Sequence, residues 1–78
     1  MRLTFFGRLR EAVGAGEIDC LPPATIVDSE SLREWISVDH PALADATVRI
    51  ALDDVLITGP TSIAGVSEVA FLPPVSGG

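Results

Sequence analysis

Only one long segment of this chain, residues 29–37, carries an apolar stripe at helical spacing, whereas most of its other apolar stretches alternate with period two. Leu32, Trp35 and Ile36 recur at intervals of three and four, which puts them on one side of a helix while Glu30, Arg33 and Glu34 face water. Asp28 stands where its carboxylate can accept from free backbone amides and complement the positive end of the helix dipole. A lone helix with one apolar face must bury it, and the period-two segments offer a sheet. Trp35, inside the stripe, reads as a core anchor rather than a ligand platform.

Residues 2–6 alternate around aromatic and β-branched side chains and predict a strand that Gly7 ends. Residues 8–13 place Leu9, Ala12 and Val13 at helical spacing, and Gly14 can take the left-handed conformation past the end of that short helix. Residues 17–21 alternate again until Pro22-Pro23 stops them, with Ile18 and Cys20 on one face. After the break at His40-Pro41, residues 42–45 predict a turn, and residues 47–52 a third strand with Val48, Ile50 and Leu52 facing the core. Asp53-Asp54 makes a hairpin turn into a short strand over residues 55–57. A loop begins at Gly59-Pro60, and residues 67–72 form the fifth strand. The order is α+β: one main helix packed across a mixed five-stranded sheet, in a single domain over residues 1–78 with a tail, 73–78, that projects. Parallel pairing of the first and last strands at the centre of the sheet follows by analogy with small β-grasp domains.

A domain of 78 residues hides only about 60–65% of its extended-chain surface from water, so a mean hydropathy of +0.44 raises the question of where the apolar surface goes. Alternation turns Leu3, Phe5, Val69 and Phe71 toward the helix and Thr4, Phe6, Ala70 and Leu72 away from it. A one-sided sheet should carry polar residues on its open face, yet Phe6 and Leu72 are large and apolar. With Leu56 they predict an exposed patch that marks an interface and leads directly into Pro73-Pro74, which favour an extended chain. The alternative is that loops partly cover Phe6 and Leu72 in a protein too small to hide everything.

The charge is −6, from eleven acidic residues against five arginines, and no lysine occurs. Phosphate neutralisation needs clustered Lys and Arg, so nucleic acid is not the expected partner, and an acidic body suits a basic protein better. Without lysine the chain offers no side-chain amine for isopeptide branching. Apolar stretches fall well short of the ~20 residues of a membrane span, and no signal-peptide h-region follows the start, so a cytosolic protein without membrane contact is expected. Cys20 is the only cysteine and His40 the only histidine, which leaves no disulfide, no cysteine-based zinc site and no support for a nucleophile-histidine pair. Cys20 reads as a small buried hydrophobe and His40 as a loop residue. Adjacent acids at Asp53-Asp54 read as a solvated turn rather than a metal or acid-base site.

The chain stops on Gly77-Gly78, directly behind residues 69–75. Two residues without side chains can pass down a channel too narrow for others and leave the terminal carboxylate unhindered. The working group is then that carboxylate, the alternative being an ordinary frayed terminus.

Phe5-Phe6-Gly7-Arg8-Leu9-Arg10-Glu11-Ala12-Val13-Gly14, Ser31-Leu32-Arg33 and Glu68-Val69-Ala70-Phe71-Leu72-Pro73-Pro74-Val75-Ser76-Gly77-Gly78 together resemble the small subunit of molybdopterin synthase, a ubiquitin-like sulfur carrier. The final stretch carries the resemblance most specifically. It implies a β-grasp fold and a Gly78 carboxylate that attacks the α-phosphate of ATP held by a separate activating enzyme. Sulfur from a donor then replaces the adenylate to give a thiocarboxylate, with Gly77 allowing the tail to thread. In the large subunit's active site that group donates sulfur to cyclic pyranopterin monophosphate, within a heterotetramer. The carrier itself binds no cofactor or metal. Phe6, Leu56, Leu72, Pro73, Pro74, Val75 and Ser76 are the implied partner-binding residues. Arg10 either fixes a partner acid or caps a local carboxylate, and the local role is the expectation. Asp53 stands where the family commonly has Asn, and Val66-Ser67-Glu68 where it has a Gly-Asp-Glu turn. Carriers serving thiamine, tRNA thiolation or cysteine synthesis, a protein modifier, and a plain interaction module are the competing readings.

Overall fold

In the computed structural model, which describes residues 1–74, five strands form one sheet in the order β2-β1-β5-β3-β4. They are β1 (Arg2–Phe5), β2 (Glu17–Asp19), β3 (Arg49–Leu52), β4 (Val55–Leu56) and β5 (Glu68–Leu72), interrupted by the helices α1 (Arg8–Val13) and α2 (Ser29–Ser37) and a 3-10 helix at Pro41–Ala44. β1 and β5 are parallel neighbours at the centre of the sheet, and the other pairings are antiparallel. This is the mixed sheet with one main helix that the β-grasp resemblance implied.

Register explains the core. Leu3 pairs with Val69 and Phe5 with Phe71, so four side chains of the two central strands project toward α2, and the two phenyl rings stack with centroids 5.5 Å apart. Leu32 and Ile36 of α2 meet them, joined by Leu9, Leu43, Val48, Ile50 and Ile63. Burying side chains of this size contributes roughly 1.5–3 kcal/mol each, which is what holds so small a sheet to one helix. Trp35 packs on this cluster but stays half-buried, as do Ile18 and Cys20.

The start of α2 is fixed twice. Ser31 N–H donates to Asp28 Oδ1 at 2.8 Å while Asp28 N–H donates to Ser31 Oγ at 3.3 Å, a reciprocal capping box. That bond from the Ser31 amide, followed by the one from its hydroxyl, holds the Asp28 carboxyl below its ordinary value. Buried Ser29 then exchanges bonds with Thr61, donating its N–H to the Thr61 carbonyl at 2.8 Å and accepting the Thr61 N–H at 3.0 Å.

Several sequence expectations are corrected at element ends. The third strand begins at Arg49 rather than residue 47, because the Asp45 carboxylate accepts both the Thr47 N–H, at 2.9 Å, and its hydroxyl, at 2.7 Å, turning those residues out of the ladder. The second stops at Asp19, leaving Leu21 90% exposed, and the 42–45 turn is instead a 3-10 helix opened by Pro41 with Leu43 buried beneath it. Arg33 does not face water. Its Nη1 donates to the Asp45 carbonyl at 3.0 Å and its Nη2 to the Val48 carbonyl at 2.9 Å, clamping α2 to the entry of β3.

The hairpin between β3 and β4 is a two-residue turn in which Asp53 (φ 46°) and Asp54 (φ 69°) are both left-handed. Asp53 also reaches across the sheet: its carboxylate accepts the Ser67 N–H at 3.1 Å and the Glu68 N–H at 2.9 Å. The two departures from the family pattern, at Asp53 and at Val66-Ser67-Glu68, therefore contact each other and together pin the start of β5.

Candidate functional site

Among the described residues, both helices and the 3-10 helix contribute to the one core cluster, through Leu9, Leu32, Ile36 and Leu43, and no further helix is left to cover the opposite face of the sheet. Thr4 pairs with Ala70, Ala70 with Ala51, and Ala51 with Leu56, which lays these residues in one row across four strands. The next row toward the end of β5 holds Leu72 opposite Arg49, with Phe6 one residue beyond the Phe5–Phe71 pair. Phe6 N–H donates to the Phe71 carbonyl at 3.1 Å, which carries the β1–β5 ladder one bond further and keeps Phe6 beside Leu72. Phe6 is 45% exposed, Leu56 50% exposed and Leu72 half-buried, while Ala51 and Ala70 are sunk between them. The three large residues singled out from alternation thus share one open face. At its other end the face is polar: Arg2 pairs with Glu68 at 3.2 Å and with Glu17 at 3.6 Å, and the Thr4 hydroxyl donates to Glu68 at 3.1 Å.

The root of the tail is seated by a residue that the sequence reading used only as a strand terminator. Gly7 has φ 56° and ψ −137°, a conformation that side-chain-bearing residues avoid, and a Cβ placed on it would stand 2.9 Å from Pro73 Cγ. Pro73 therefore lies directly on the backbone that links β1 to α1. A glycine followed by a helix and a proline following a strand are each ordinary in sequence, and only the parallel β1–β5 pairing brings them together. Pro74 is half-buried next to it, and Val75, Ser76, Gly77 and Gly78 lie outside the described residues.

Arg10 was expected to cap a local carboxylate, and it makes no ion pair among the described residues. Its guanidinium lies against Gly16, with Nη2 3.1 Å from the position a Cβ would take there, so a flat cation rests on bare backbone. Elsewhere the chemistry is sparse. Cys20 packs half-buried against the core, and burial pushes its thiol up from its ordinary value. His40 is half-buried ahead of the 3-10 helix. Among the described residues no group of three or more His, Cys, Asp or Glu is placed to hold a metal ion, and no helix is long and apolar enough to cross a membrane.

The sequence profile of the ThiS family matches residues 3–78, nearly the whole length and through the tail. The chain belongs to the ThiS family. In fold this ThiS-family chain is similar to SAMP1 from Haloferax volcanii, known from a crystal structure, with a TM-score of 0.76 and 20% identity over 99% of this chain and 97% of that one. It is equally similar to a protein of Pyrococcus furiosus provisionally described as molybdopterin converting factor, subunit 1, with a TM-score of 0.75 and 21% identity over 95% of each chain. No curated protein sequence matches it. The ThiS-family match and the shared fold make the chain a ubiquitin-like sulfur carrier.

Proposed function

We propose that this carrier is the small subunit of molybdopterin synthase, with Gly78 as its sulfur-bearing residue. The observation that carries the reading is the continuity of an open apolar face, Phe6, Leu56 and Leu72, with a tail root seated on Gly7. A body docked on that face delivers whatever follows Pro74 into the partner. The Phe-Leu-Pro-Pro-Val-Ser-Gly-Gly ending and the likeness to the Pyrococcus furiosus protein favour the molybdenum-cofactor acceptor over others.

In this scheme a carboxylate oxygen of Gly78 attacks the α-phosphorus of ATP on the activating enzyme, and pyrophosphate leaves. A donor's sulfur attacks the carbonyl carbon of the resulting acyl-adenylate, AMP leaves, and a thiocarboxylate forms. In the large subunit's active site the thiocarboxylate gives its sulfur to cyclic pyranopterin monophosphate, and water restores the carboxylate. Pro73, Pro74, Val75 and Ser76 extend the docking surface, and Gly77 passes the narrowest part of the channel. The carrier supplies no acid, base or metal and brings a reactive end group to residues of its partners.

Intact mass spectrometry after co-expression with the activating enzyme and a sulfur source tests this. The chain should gain the mass difference between sulfur and oxygen, and removing Gly78 should abolish the gain. A persistently unmodified terminus ends the proposal. Pull-down of a molybdopterin synthase large subunit then separates this acceptor from thiamine, tRNA thiolation or cysteine synthesis, and adducts on target lysines would reveal a protein modifier instead.

A further inference from the structure

The five arginines divide sharply. Arg2 is held in ion pairs with Glu17 and Glu68, and Arg33 is spent on two backbone carbonyls. Arg8, Arg10 and Arg49 are exposed and make no ion pair among the described residues, and of these three only Arg49 lies on a strand, where its cross-strand partner is Leu72. Register sets Arg49 beside Leu72 at the apolar end of the open face, while Asp19 and Glu68 flank Arg2 at the start of β1 and Glu17 stands opposite Thr4. The Asp45 carboxylate is taken up by Thr47, and among the described residues no carboxylate stands within ion-pair distance of Arg49.

A partner that covers Leu72 also covers Arg49. Removing a guanidinium from water without a counter-charge is costly, whereas a carboxylate across the contact converts that cost into a directional, charge-assisted bond. We infer that the docking face selects a protein surface presenting a carboxylate to Arg49 within an apolar contact. This reverses the expectation drawn from the net charge of −6, because the charge beside Leu72 at the apolar end of the face is the cation of Arg49. The inference rests on the carrier reading above and names the chemistry of the surface that reads it.

The experiment is steady-state adenylation of the full chain by its activating enzyme, followed as pyrophosphate release, with wild type, Arg49→Lys, Arg49→Ala and Arg49→Glu. Arg49→Glu should raise KM for the carrier by about tenfold at low ionic strength, with kcat within about twofold, and the gap should narrow as salt screens the charge. Arg49→Ala should fall between, and Arg49→Lys should retain most of the affinity. An unchanged or lower KM for Arg49→Glu, in a variant whose circular dichroism and melting match wild type, overturns the inference and leaves the carrier reading intact. Failure of the wild-type chain to be adenylated at all sinks the carrier reading and the inference with it. Concentration-dependent self-association abolished by Arg49→Glu would give the face to a second copy and also overturn it.

Discussion

The two faces of the one sheet are built from the same strands and do opposite work. On the α2 side, β5 presents Val69 and Phe71, both fully buried, to a layer that β1 completes with Leu3 and Phe5. On the open side, the same strand presents Glu68, Ala70 and Leu72, of which Ala70 is buried and Glu68 and Leu72 are half-buried, before the chain leaves at Pro73. Stability is therefore concentrated in alternate residues of β5, and the intervening ones are released from the core for contact with something else. A strand adjacent to the tail can in this way be rigid and interactive at once, because its pleat separates the two duties.

The largest expected effect tests the closed face. Phe71→Ala removes the stacked partner of Phe5 and should cost about 3–5 kcal/mol in urea unfolding. A loss below about 1 kcal/mol would show that the core does not depend on the central pair. On the open face, Phe6→Asp or Leu72→Asp should leave the urea midpoint nearly unchanged while weakening partner binding about tenfold or more by calorimetry. Equal affinity for both variants would erase the functional difference between the faces.

Gly7→Ala lies at the junction of the two. Positive φ and the approach of Pro73 predict a destabilisation of about 1–3 kcal/mol together with slower adenylation, because the tail root must shift. Unaltered adenylation kinetics in the folded variant would detach the seat from the tail's function. A smaller effect of opposite sign belongs to the hairpin: Asp54→Gly relieves a left-handed aspartate and should stabilise by about 0.5 kcal/mol, seen as a higher melting temperature.

The smallest effect is set by pH. The Asp28 carboxyl titrates below its ordinary value of 3.8 in the folded chain, so its capping contribution is complete above 3.8 and disappears as pH falls through the lowered folded value. Asp28→Asn keeps an acceptor at the cap and should flatten that acid limb of the melting curve, whereas Asp28→Ala should lower the melting temperature at neutral pH as well.

Much of this arrangement was legible from the residues. The stripe of Leu32 and Ile36 and the cap at Asp28 are local patterns, and α2 runs over the predicted residues. Alternation in β1 and β5 sorted Leu3, Phe5, Val69 and Phe71 from Phe6 and Leu72, because side-chain direction in a strand follows from position alone. Three things were illegible for a shared reason. Arg33 reads as a water-facing helix residue until the loop before β3 comes within reach of its guanidinium. Asp53 reads as a turn acid until β5 brings its amides alongside. Arg10 reads as a local cap until the backbone of Gly16 passes beneath it.

Sequence alone determined which segments become helix and strand, which face of each is apolar, and that the open face leads toward the glycine-ended tail, because periodicity, capping and turn chemistry act over a few neighbouring residues. Tertiary structure alone decided that Pro73 rests on Gly7 and that Arg49, without an ion pair among the described residues, stands opposite Leu72. Both depend on strand order and register, which join residues far apart in the chain and are set by the packing of the whole sheet on α2.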